Sequence, residues 1–189
     1  MSTILLEYAD TICKASSFLK QSSKEKLLAI HSLLQPASFA DEHNDKLTGS
    51  CQWIEEREDF TDWRHSTLDV DKGADREPFV YWVNANPGAG KTVLATHVAT
   101  LLQECRLQCS THFFHFGKKA SHSLAMCLRS IAYQMATTNS TIRDALGKLQ
   151  SAGCVLDLDD ARSVWLKIFK ACIFQVRLTA EFKHKLKLT

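Results

Sequence analysis

The chain has no excess of either charge: 23 Lys and Arg stand against 21 Asp and Glu, a formal +2 over 189 residues. Composition therefore supplies no field that would draw in nucleic acid or an anionic membrane. It also lacks any apolar run near the roughly eighteen residues that a membrane-spanning helix needs. The first twenty residues, MSTILLEYADTICKASSFLK, lack the basic start and apolar block of a signal peptide. Internal repeats and low-complexity tracts are missing too. The seven cysteines, at positions 13, 51, 105, 109, 127, 154 and 172, are odd in number and fall mostly on apolar helical faces. They suit reduced thiols better than a disulfide framework. These absences predict a cytoplasmic chain with no nucleic acid and no membrane among its partners. The length and 45% hydrophobic content leave room for one α/β domain with a helical segment in front.

Apolar positions recur at helical spacing through Leu5, Tyr8, Ile12, Ala15 and Leu19, and again through Leu27, Ile30 and Leu34. The polar stretch Gln21-Ser22-Ser23-Lys24 between them divides two helices in a predicted N-terminal helical extension, residues 1–34. Residues 35–48 read as a linker. Trp53, Phe60 and Trp63 follow in a short helical stretch, and three large aromatics so close together suit a small core better than ligand stacking. Phe79 to Val83 is a continuous β-prone apolar run, the pattern of a parallel strand buried on both faces. Thr111 to Phe116 reads as a second strand. Leu94, Val98 and Leu101 mark a helix beginning near Lys91, Leu124, Leu128, Ile131 and Met135 a second, and Ile142, Leu146 and Leu149 a third. A last helix runs from about Asp160 through Trp165, Ile168, Phe169, Cys172 and Ile173. Strands alternating with helices predict an α/β fold, a P-loop NTPase-like parallel sheet with flanking helices behind the N-terminal extension.

Between the first predicted strand and its helix lies Asn86-Pro87-Gly88-Ala89-Gly90-Lys91-Thr92-Val93. A triphosphate is held with least rearrangement by backbone N–H groups at a helix N-terminus. Gly88 and Gly90 give a backbone able to close around phosphates, with Ala89 between them. Lys91 supplies a point charge for the β- and γ-phosphates, and the Thr92 hydroxyl is placed to bind Mg²⁺. The expected ligand is a nucleoside triphosphate, ATP or GTP, with Mg²⁺. One departure from G-x-x-x-x-G-K-[ST] is Ala85 at the first glycine position, where a β-carbon is tolerated only at negative φ.

Other chemistry-bearing residues read more simply. Val155-Leu156-Asp157-Leu158-Asp159-Asp160 ends an apolar run in acids, but these stand directly before a helical pattern, and Asp157 or Asp159 as a helix cap is the simpler account. Cys105, Cys109, His112 and His115 lie close in sequence, yet His112 and His115 would point to opposite faces of a strand and cannot share a tetrahedral metal site. Arg129 suits a phosphate contact and a packing role equally. No Cys or Ser has a helper base at identifiable spacing, so no catalytic residue is assigned.

Several segments together resemble the fungal branch of the NACHT-type (STAND) P-loop NTPases, in particular the nephrocystin-3-like N-terminal domain. They are Gly49-Ser50-Cys51-Gln52-Trp53-Ile54 with Phe60 and Trp63, Trp82-Val83 leading into the Gly-Lys-Thr loop, Phe113-Phe114-His115-Phe116, and Leu128 to Gln134. The resemblance covers about Gly49 to Val176 and delimits a partial domain over residues 49–176. It implies a signal-transducing switch in which bound nucleotide controls assembly, so self-association or an effector protein joins the expected partners. Such proteins continue into an apolar strand ending in carboxylates, whereas residues 177–189 form a divergent basic tail. The expectation is nucleotide binding with an incomplete sheet and no hydrolysis. The rivals are a small P-loop kinase and a non-enzymatic interaction fragment with a vestigial loop.

Overall fold

A computed structural model describes residues 21–36, 49–68, 80–105, 107–114 and 123–176. By contact the chain divides into two units, one of Met1–Ser38 with Gln108–Thr189 and one of Phe39–Leu107.

The described residues of the first unit are mainly helical. Residues 21–34 form α1, including the Gln21-Ser22-Ser23-Lys24 stretch expected to divide two helices. Ile30 and Leu34 are fully buried with Leu27 and Leu33 beside them, a stripe at three- and four-residue spacing. α1 ends at Gln35, whose φ of 42° turns the chain. There Arg129 Nη1 donates to the carbonyls of Leu34 (2.9 Å) and Gln35 (3.1 Å), closing groups that a helix end leaves open. α4 (Leu124–Thr138) and α5 (Ser140–Ser151) meet at the single residue Asn139. Its N–H bonds the Met135 carbonyl, while its Oδ1 accepts from the N–H groups of Thr141 and Ile142. Arg143 returns to the Ala136 and Thr137 carbonyls and also donates to Ser23 Oγ, so one guanidinium closes α4 and holds α1.

α6 (Ala161–Val164) starts on Asp160, whose carboxylate accepts from the N–H groups of Arg162 and Ser163. It runs directly into a π-helical stretch, Trp165–Ile173. Val164, Ile168, Phe169, Cys172 and Ile173 face the core with Ala132, Ala136, Ile142 and Leu146. The cap was expected at Asp157 or Asp159. Asp157 instead accepts from the N–H groups of Asp159 and Asp160, forming the turn that delivers Asp160 to the cap.

The second unit has a one-turn 3₁₀ helix (Gln52–Ile54), α2 (Glu58–Leu68) and α3 (Lys91–Glu104). Ile54, Phe60 and Leu94 are its buried centre, edged by Cys51, Trp63, Tyr81, Val98 and Leu101. The expected small aromatic core is present around Phe60 and Trp63, while Trp53 is exposed.

The predicted α/β architecture is not what forms. Among the described residues there is no strand and hence no parallel sheet, complete or incomplete. Residues 80–83 belong to no regular element, and Val80 is 75% and Trp82 is 82% exposed, so the run is not buried on both faces. A β-prone run becomes a strand only where a neighbour completes its ladder, and propensity alone does not provide one. Around Thr111 the ladder's place is taken by a side chain: Gln134 accepts from the Thr111 N–H (2.8 Å) and donates to its carbonyl (2.7 Å). Residues 1–20 of the predicted extension, 37–48 of the linker, Phe79, His115, Phe116 and the 177–189 tail lie outside the described residues.

Candidate functional site

The predicted loop, residues 86–93, runs from a segment with no regular structure, anchored at Tyr81, into the first turn of α3. Before it, the Tyr81 ring meets Phe60 edge to face (centroids 5.6 Å, 78°) and Trp63 at a tilt (5.8 Å, 44°). Arg57 and Asp59, on the same segment as Phe60 and Trp63, lie near Tyr81. Those two form a bidentate pair, Nε to Oδ1 at 2.9 Å and Nη2 to Oδ2 at 2.6 Å. The Arg57 hydrogen bond is the main reason the Asp59 carboxyl is held down to about 2, with help from the Phe60 N–H; the guanidinium is correspondingly raised.

From Ala85 to Val93 every residue is exposed. The Ala89 N–H closes a turn on the Asn86 carbonyl at 3.2 Å. Gly88 and Gly90 both have φ near 80°, a conformation other residues adopt only with strain. Nothing lies within 4 Å of an added β-carbon at either, so these glycines are required by backbone conformation and not by space. The only non-glycine residues at positive φ among those described are Gln35 and Cys51, so Ala85 meets the condition under which its β-carbon is tolerated.

Lys91 opens α3 and folds its ammonium back over the loop, donating to the carbonyls of Ala85 (2.6 Å) and Asn86 (2.9 Å). Both acceptors are neutral dipoles, whereas an anionic oxygen would pair with the ammonium charge to charge. Gly90 is the N-cap and has no side chain to offer. Leu94 makes the first intrahelical bond, to Gly90, so the N–H groups of Lys91, Thr92 and Val93 precede the α-helical ladder, at its electropositive end. Thr92 sits exposed on that first turn.

α3 is held from the other side as well. His97, 7% exposed, places Nε2 2.9 Å from Glu55 Oε1, next to the 3₁₀ turn. Neither residue was singled out from sequence, although a histidine among Leu94, Val98 and Leu101 falls on a buried helical face, where a polar group needs a partner. Tyr81 was read only as part of a strand.

The other candidates lie in the first unit. Arg129 is buried and caps α1; burial pushes its guanidinium down, partly offset by Asp159. Asp157, Asp159 and Asp160 belong to the turn and cap of α6. No group of three or more His, Cys, Asp or Glu able to hold a metal occurs among the described residues, nor is any described helix long and apolar enough to cross a membrane.

No curated protein and no solved structure matched the chain. A family profile described as Nephrocystin 3, N-terminal, matches residues 49–183. That span takes in the Tyr81 anchor, the glycine loop, α3 and the helices from α4 to the π-helical stretch. It covers well over half of the chain, which therefore belongs to the nephrocystin 3 N-terminal family.

Proposed function

We propose that residues Asn86 to Val93 bind the phosphates of a nucleoside triphosphate, ATP or GTP, together with Mg²⁺, as the front of a NACHT-type signalling switch like those of fungal proteins, in the cytoplasm. The observation that carries this reading is the Lys91 ammonium resting on the Ala85 and Asn86 carbonyls beside two glycines at positive φ and an uncapped helix start. Phosphate oxygens entering there exchange neutral acceptors for charged ones and meet the first-turn N–H groups. Mg²⁺ commonly keeps several waters and binds through substrate phosphates with few protein ligands. The donor set fits that mode: the Thr92 hydroxyl is the protein oxygen for a metal held mainly by the nucleotide. Bound, the metal would neutralise phosphate charge. Turnover is not part of the proposal, because no residue is assigned to orient water.

Titrating the purified chain with Mg-ATP and Mg-GTP tests it. Saturable binding lost in Lys91→Ala, with Thr92→Ala weakening the magnesium-dependent part more than the part left in EDTA, is the expected result. Binding equal in wild type and Lys91→Ala would overturn it. A second reading, an interaction fragment with a vestigial loop, draws on the exposure of Val80 and Trp82. It gains if no nucleotide binds at millimolar concentration.

A further inference from the structure

We infer that Glu55 and His97 are positioning residues for the loop: their contact fixes α3 on the 49–63 segment and so sets where Lys91 and Thr92 stand. This rests on the nucleotide-binding reading above. The loop has its own Ala89 and Lys91 hydrogen bonds but no buried residue between Ala85 and Val93, so its placement depends on its two ends. One end is gripped at Tyr81 by the rings of Phe60 and Trp63. The other is gripped at His97, five residues beyond Thr92 on the same rigid helix. Both grips belong to residues 55–63, making that short segment a chassis spanning the loop.

The contact is polar in a way packing alone does not require. With the Glu55 carboxylate oxygen as acceptor, Nε2 of His97 is the donor across the 2.9 Å contact. Because His97 is buried and Glu55 half-exposed, the bond has a direction that the apolar neighbours Leu94 and Val98 do not impose. It fixes the rotation of α3 about its axis, and that rotation carries the first-turn N–H groups and the Thr92 hydroxyl with it. A small misplacement of such groups reduces affinity without removing any ligand contact.

The test compares nucleotide affinity with stability in the full chain, using Mg-ATP as probe. Glu55→Ala should weaken binding about tenfold, within the range for residues that act without touching a ligand. Glu55→Gln should restore affinity to near wild type, because an amide oxygen still accepts from Nε2. Val98→Ala, which trims the same helix face without touching the pair, should lower the melting temperature yet leave affinity unchanged. If Glu55→Ala does not fold, Glu55→Asp, which withdraws the carboxylate by one methylene, carries the same expectation. Unchanged affinity in Glu55→Ala while Lys91→Ala abolishes binding would overturn this inference alone, as would Val98→Ala weakening binding equally. A wild-type chain that binds no Mg-ATP would overturn it together with the reading on which it rests.

Discussion

In the helical unit built on α1, α4, α5 and the Ala161–Ile173 helix, polar side chains close backbone groups: Arg129 on α1, Arg143 and Asn139 at the α4–α5 corner, Asp160 at α6 and Gln134 on Thr111. In the other unit a small aromatic cluster supports a loop whose first-turn amides have no cap and whose lysine lies on carbonyls that a better acceptor can displace. One region spends its polar chemistry on its own stability. The other pairs Arg57 with Asp59 and His97 with Glu55 but leaves the loop's first-turn amides uncapped.

Core lesions should separate the two most strongly. Phe60→Ala removes the ring that Trp63 and Tyr81 share and should cost about 3 to 5 kcal/mol, with nucleotide affinity falling too because Tyr81 loses its support. Leu146→Ala should cost about 2 to 5 kcal/mol in denaturant unfolding and leave affinity untouched. Equal effects on affinity would erase the distinction. Arg129→Met keeps the apolar stem but uncovers the Leu34 and Gln35 carbonyls, and should cost about 1 to 3 kcal/mol. Asp160→Ala removes the α6 cap at about 1 kcal/mol, again without touching binding.

The smallest effect belongs to Asp59. Its folded value lies near 2 against an ordinary 3.8, so the Arg57 pair's contribution is complete above pH 3.8 and is lost as pH falls toward 2. Both groups are exposed, so the contribution is slight. An NMR titration of the Asp59 carboxyl should report the low midpoint, and Arg57→Gln should return it toward the usual range. A midpoint unmoved by that substitution would mean that Arg57 does not hold the carboxyl down.

How much of this was legible in the sequence depends on whether the signal was local. The start of α3 at Lys91 follows from residue types at fixed spacing and is found as read; Gly88 and Gly90 before it hold positive φ, but the strand expected ahead of them does not form. The aromatic cluster was legible for Phe60 and Trp63, while Trp53 lies outside it because the 3₁₀ turn directs Ile54 inward instead. The strands were not legible, because Val80, Trp82 and the 111–114 segment have β propensity but pairing depends on partners far away in sequence. Nor was the cap at Asp160 singled out from its neighbours. Three acids within four residues offer the same propensity, and only the turn accepted by Asp157 decides which one meets the helix. Glu55 and His97 are 42 positions apart, and nothing local joins them.

Nucleotide binding at Lys91 is tested most directly by the melting temperature of the chain with and without Mg-ATP in wild type and Lys91→Ala. A ligand held only by the folded state at one hundred times its Kd stabilises by about 2.7 kcal/mol, a rise of roughly 5 to 10 °C for a chain of this size. The account predicts that rise in wild type and its near-complete loss in Lys91→Ala; an equal rise in both, or none in either, would contradict it.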